Sequence, residues 1–100
     1  MEFSKNIQQT PRAVVVDVRR PDEYGEGHLA NSLNINWNSD NFETEVVKLD
    51  KASPIFVYCL VGGRSASAAE KMRAIGFKQV YELEGGISKW KAAQLPVTTR

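Results

Sequence analysis

One stretch of the chain carries residue types suited to nucleophilic chemistry: Cys59-Leu60-Val61-Gly62-Gly63-Arg64-Ser65. The thiolate form of a cysteine is the nucleophile, and it forms readily where unpaired N–H groups and a helix dipole face the sulfur. Those conditions hold at the start of a helix, whose first N–H groups have no partner in the helix itself. The run Pro54-Ile55-Phe56-Val57-Tyr58 before the cysteine is apolar and reads as a buried strand. The Ala-rich stretch from Ser65 to Ile75 after it reads as a helix. Cys59 therefore falls at the end of a strand, on a Gly-rich turn, facing a helix N-terminus. Gly62 and Gly63 allow successive N–H groups to turn to one side, and Arg64 brings a planar cation with several donors. Such a loop can surround an oxyanion or an anionic sulfur, lower the thiol pKa and stabilise charge that develops during attack. A cysteine at a strand end is otherwise a small buried apolar residue; it is the Gly-Gly-Arg-Ser run after it that favours chemistry.

The elements that must position this loop alternate between strand and helix patterns, which predicts an α/β fold with a mainly parallel, doubly wound sheet of four to five strands and helices on both faces. Phe3 and Ile7 are spaced as on a short helix that Thr10-Pro11 breaks. Ala13 to Val18 is a β-branched run suited to a central strand. Arg20-Pro21-Asp22-Glu23-Tyr24 opens a helix that Gly25 and Gly27 end. Leu33 to Asn36 reads as a short strand, and Asp40 to Glu43 as a capping box before a helix with Phe42, Val46 and Leu49 on one face. Ala68, Met72 and Ile75 repeat at helical spacing, with Gly76 placed as the cap. Gln79 to Leu83 is a last strand, Gly85-Gly86 a turn, Ile87 and Trp90 part of a closing helix, and Pro96 the start of an extended tail. Ligands of such sheets lie beyond the carboxyl ends of the strands, where Cys59 falls.

The bulk numbers bound the function. The chain has 100 residues, enough for one domain over 1–100, with 42% apolar and 25% charged residues and a net charge of +1. That balance gives no reason to expect nucleic acid or a membrane surface as partner. No apolar run approaches a bilayer span, and the polar start shows no secretory signal, so a cytoplasmic monomer is expected. A Met1 placed after a removed leader would leave a periplasmic or secreted location open. One cysteine excludes an internal disulfide, and with a single histidine it excludes an ordinary zinc site, so neither metal nor cofactor is expected. Whatever Cys59 acquires must leave to an outside acceptor.

The active stretch is similar to the C-x-x-G-x-R-S loop of the rhodanese family of sulfurtransferases. Val16-Asp17-Val18-Arg19 with Pro21 and Glu23-Tyr24 resembles the family's D-V-R-x-x-x-E-(Y/F). Gly27-His28-Leu29 and Leu33-Asn34-Ile35 resemble its G-H-I-x-x-(A)-x-N-I segment. Val80-Tyr81, Leu83, Gly85-Gly86-Ile87 and Trp90 resemble its closing V-x-x-L-x-G-G-(I/F)-x-x-W. The resemblance runs from about Phe3 to Val97. It implies a Cys59 persulfide, formed from a donor such as thiosulfate, a persulfide or a polysulfide. The sulfur then passes to cyanide, a thiol, or a thioredoxin-like or other sulfur-relay protein. It assigns Leu60, Val61, Gly62, Gly63, Arg64 and Ser65 to substrate binding, and Asp17 and Arg19 to a structural role beside the site.

Four positions depart from the pattern. Leu60 and Val61 are apolar where thiosulfate-using members often carry a basic or polar residue. Asn31-Ser32 replaces Gly-Ala. Arg20 precedes Pro21 where an acidic or small residue is common. The edge strand usual before the first helix is expected to be missing or contributed differently. His28 is expected to be a hydrogen-bonded structural residue, Ser65 a helix cap or an anion donor, and Trp37 and Trp90 packing residues. Three rival functions stand beside the transferase: a sulfur-carrier module with little activity on small donors, a non-catalytic binding module, and a phosphatase or arsenate reductase on the same scaffold. Enzymes of the last kind resemble C-x5-R, and the C-x4-R of Cys59 to Arg64 makes a smaller ring.

Overall fold

The computed structural model describes residues 2–99, with side chains from residue 6 onward. Met1 and the Phe3 side chain lie outside the described residues. The elements run α1 (Glu2–Gln9), β1 (Val14–Asp17), α2 (Pro21–Glu26), β2 (Leu33–Asn34), α3 (Phe42–Val46), β3 (Ile55–Tyr58), α4 (Gly63–Ala74), β4 (Val80–Glu82) and α5 (Gly86–Ala92).

Four strands form one all-parallel sheet in the order β2-β1-β3-β4. The inner pair, β1 and β3, comes from the two most apolar runs, because inner parallel strands are covered on both faces. Val14 to Asp17 align with Ile55 to Tyr58 in register. Alternate residues point to opposite faces. Val16 and Val57 join Phe42 and Val46 of α3 and Ala68, Ala69 and Met72 of α4 in one core layer. Val15, Phe56 and Tyr58 join Ile87 and Trp90 of α5, with Ile7 of α1 packed against them, in the other. Trp37 meets Phe42 edge to face at 4.8 Å.

From β1 the chain crosses to β2 on one side, whereas β3 and β4 lie on the other. The strand order therefore reverses between β1 and β3, and crevices of α/β sheets open at such a reversal. Val18 and Arg19 leave the end of β1 there, and Cys59 leaves the end of β3.

Three local expectations need correction. The box expected at Asp40 does not form: α3 starts one residue later, with Asn41 at the N-cap position and no side-chain cap, because a turn at Ser39 comes first, its carbonyl accepting the Phe42 N–H and its hydroxyl the Asn41 N–H, each at 3.1 Å. Gly25 lies inside α2, and Gly27 closes it through its N–H to Tyr24 O at 3.2 Å. The tail after Pro96 is not merely extended: Thr98 pairs antiparallel with His28, each N–H donating to the other's carbonyl at 2.8 Å. Gly76 follows α4 as expected, its N–H donating to Arg73 O at 3.2 Å while the Phe77 N–H reaches Met72 O at 3.0 Å.

Candidate active site

Cys59 follows the last residue of β3, and its side chain faces the layer that contains α4. Tyr58, one residue earlier, points to the other face, where its hydroxyl accepts the Leu29 N–H at 3.1 Å. That bond ties the end of β3 down and leaves Cys59 beneath the turn into α4.

The turn works through Gly62. Its φ of +134° lies where an L side chain is strained, and no atom crowds the position, so backbone conformation is what calls for glycine here. With this bend the Gly62 N–H donates to Cys59 Sγ at 3.0 Å, and the Ser65 N–H approaches at 3.4 Å. Gly62 is also the N-cap of α4, so the sulfur sits at the positive end of a 12-residue helix. Ser65 is therefore not the cap but the third residue of the helix. Its buried hydroxyl donates to Gly62 O at 3.1 Å and lies 3.4 Å from Sγ.

Burial pushes the Cys59 thiol up. The Ser65 hydroxyl and the N–H groups of Ser65, Gly62 and Arg64 more than offset this, so the thiol sits below its ordinary value. The arrangement favours a thiolate without a general base. His28 supplies none: its ring stacks on Tyr24 at 3.6 Å and its Nδ1 lies 2.8 Å from Tyr24 O.

The sequence pattern turns the guanidinium of Arg64 toward the anion; the structure places it elsewhere. It grips Glu23 of α2 with Nη1 on Oε1 at 2.7 Å and Nη2 on Oε2 at 3.1 Å. Hydrogen bonds from Arg64 pull the Glu23 carboxyl down to about 2, against the opposing effect of burial. Only the main chain of Arg64 serves the sulfur directly. Gly63 opens α4 and lines the turn with no atom near its missing Cβ. Leu60 and Val61 project outward, 41% and 65% exposed, and make an apolar rim.

Asp17 and Arg19 form a buried pair at the end of β1. Arg19 donates to both carboxylate oxygens, with Nη2 on Oδ2 at 2.7 Å, and the same Nη2 reaches Gly27 O at 2.7 Å. The pair ties the strand end to the loop after α2.

The roles of two participants escape a reading of the sequence. Glu23 reads as part of a helix start and of the first resembling segment; its pairing with Arg64 spans 41 positions, which no local pattern reveals. Gly86 reads as a turn and as part of the closing resemblance. The N–H groups just after it, of Ile87 and Ser88, donate to Cys59 O at 2.9 Å and Leu60 O at 3.1 Å. A Cβ on Gly86 would collide with Leu60 O and lie 2.6 Å from Cys59 O. The Gly-Gly pair is the available signal, since close backbone approach is one of the two reasons for glycine.

A model of the rhodanese-like domain matches residues 2–93. The chain belongs to the rhodanese-like domain family. Among relatives, a thiosulfate sulfurtransferase GlpE of Coxiella burnetii is 43% identical over 79 residues, covering 79% of this chain and 72% of that protein. The adenylyltransferase and sulfurtransferase UBA4 of Debaryomyces hansenii is 34% identical, and the match covers 85% of this chain but 20% of that protein. Among solved structures, a rhodanese-related protein of Thermoplasma volcanium superposes with a TM-score of 0.86 at 32% identity, covering 98% of this chain and 92% of the other. The Alr3790 protein of Anabaena gives 0.87 at 25% identity, covering 99% and 80%. Among the described residues no helix is long and apolar enough to cross a membrane.

Proposed function

We propose that this rhodanese-like domain, one unit over residues 1–100, is a sulfurtransferase that carries sulfane sulfur on Cys59. The observation that carries the reading is the sulfur at the α4 N-terminus, with main-chain N–H groups at 3.0 and 3.4 Å. The Cys59 thiolate attacks the sulfane sulfur of a donor. The new S–S bond forms as the donor's bond to that sulfur breaks, and the pair of electrons leaves with sulfite from thiosulfate, or with a thiolate from an organic persulfide. The product is Cys59–S–S⁻, whose charge the same amides accept. A thiol or cyanide then takes the outer sulfur and the Cys59 thiolate returns. No cofactor takes part, and the kinetics are ping-pong. The relatives named thiosulfate sulfurtransferase support this reading, as does the C-x4-R spacing, one residue shorter than a phosphatase loop.

A second reading is a sulfur-relay module that takes sulfur from, or gives it to, another protein such as a thioredoxin-like one. The match to a segment of the larger UBA4 favours it. Intact mass spectrometry tests the shared chemistry: a gain of roughly 32 Da on incubation with thiosulfate or a persulfide, reversed by reductant and absent in Cys59→Ser, as expected of a covalent sulfur intermediate. Turnover of p-nitrophenyl phosphate with no such adduct would overturn both readings. Fast turnover with cyanide separates the free enzyme from the relay module.

A further inference from the structure

The charges around Cys59 are paired off. Arg19 is held by Asp17, and Arg64 is held through both terminal nitrogens by Glu23. Both members of the second pair are largely shielded, at 24% and 13% side-chain exposure, so solvent competes poorly for the guanidinium. Beside the loop lies a groove of about 830 Å³ onto which Val61, Gly62 and four charged residues open. There Arg73 faces Glu82 at 3.7 Å, and Lys89 shares the space with Glu82 and Glu84. The rim itself is Leu60 and Val61. A donor approaching the sulfur meets main-chain amides and apolar side chains, with no surplus of positive charge.

That environment discriminates between donors by charge. Thiosulfate is a dianion and releases sulfite, also a dianion. An organic persulfide carries at most one charge on its sulfur, and it releases a thiolate that solvent protonates. Bringing a dianion up to a thiolate costs more than bringing a monoanion, and an unpaired cation would offset the difference.

We propose that Glu23 is a specificity-determining residue of this site: by occupying Arg64 it withholds the loop's cation from the donor, so the site selects persulfides with uncharged or apolar tails over thiosulfate. The inference rests on the sulfur-transfer reading above. Arg64 is near enough to Cys59 for their charges to interact, so its release would be felt at the sulfur. Glu23 acts through Arg64 and is a positioning residue.

The test is a double-mutant cycle with two donors, thiosulfate and an alkyl persulfide, reading kcat/KM for each. Glu23→Gln keeps an oxygen for the Arg20 N–H, which Glu23 Oε1 accepts at 3.1 Å, and so keeps the start of α2. In this variant the thiosulfate-to-persulfide ratio should rise about fivefold or more. In Glu23→Gln/Arg64→Gln the rise should vanish. A merely structural role for Glu23 would lower both donors together and leave the ratio unmoved, and that outcome overturns the proposal. Should Glu23→Gln fail to fold, the wild type still decides. Added salt screens charges, so thiosulfate turnover should increase with ionic strength where like charges meet; a decrease means that an available cation draws thiosulfate in and refutes the idea. Absence of any Cys59 adduct with both donors is a separate result, and it sinks the sulfur-transfer reading itself.

Discussion

Removing the Ser65 hydroxyl isolates one contributor to the thiolate. In the protonated state Cys59 donates to Ser65 Oγ at 3.4 Å and the hydroxyl donates to Gly62 O at 3.1 Å. On ionisation the hydroxyl proton can rotate to the sulfur. Gly62 O is not abandoned, because the Ala66 N–H donates to it at 3.0 Å within the helix. A hydrogen bond to a charged acceptor contributes about 2 kcal/mol, the neutral O–H bond given up about 1 kcal/mol and the weak S–H donation little, which leaves about 1 kcal/mol in favour of the thiolate. Ser65→Ala should therefore lower the thiolate population about fivefold at any pH well below the thiol midpoint. The midpoint shifts upward, because the hydroxyl is first among the groups that hold it down. The assay is the ultraviolet absorbance of the thiolate against pH, beside the pH profile of kcat/KM. The same loss appears in stability. The folded thiol lies below the unfolded one, so the thiolate's contribution is fully present above the unfolded pKa and disappears as pH falls through the folded pKa. Ser65→Ala should narrow that window from below. An unmoved or lowered midpoint, with the fold intact, would refute the assignment of the hydroxyl to the sulfur.

Three further outcomes are expected. Gly86→Ala drives a Cβ into the Leu60 carbonyl at a φ of +64° and should cost about 3 kcal/mol or more, whereas Gly63→Ala meets no atom and should be neutral or stabilise by up to about 1 kcal/mol; equal melting temperatures for the two variants would contradict the close approach. Asp17→Asn leaves the Arg19 guanidinium buried without its counter-charge and should cost about 3–5 kcal/mol, seen as a melting temperature lower by roughly 15–30 °C, while Asp17→Asn/Arg19→Met should recover part of the loss; a double variant less stable than the single one would argue against the buried pair. His28→Ala should weaken the fold through its stacking on Tyr24 yet spare most sulfur loading of Cys59, measured by intact mass on folded protein; a loss as deep as that of Cys59→Ser would restore His28 as a chemical participant.

How far the sequence is legible depends on the range of the forces. β1 and β3 are readable because β-branched runs covered on both sides of a sheet look the same in every neighbourhood, and α4 because Ala68, Met72 and the Gly76 cap are local signals. The turn at Cys59 is readable for the same reason: a strand, two glycines and a helix lie within a few residues. Competition between near neighbours and pairing between distant ones are not. α3 starts one residue later than Asp40 suggests and α4 three residues earlier than Ser65 suggests, since where a helix begins is set by backbone turns at Ser39 and Gly62 that side-chain types alone do not mark. The direction of Arg64 is hidden because its counter-charge sits in another helix, and the bond from Thr98 to His28 joins segments 70 positions apart. Gly86 carries a visible Gly-Gly signal, but only folded coordinates show which carbonyls it approaches.

Two helices grip the stretch that bears Cys59, and they grip different atoms. α4 presents its amides to the sulfur, while α5 presents its own to the carbonyls of Cys59 and Leu60. A second sulfur would lengthen only the side chain, leaving the main chain clamped from both directions. The charged and discharged forms would then share one outline, so a visiting molecule would have to sense the cargo chemically, atom to atom, rather than by any change in the contour of its host.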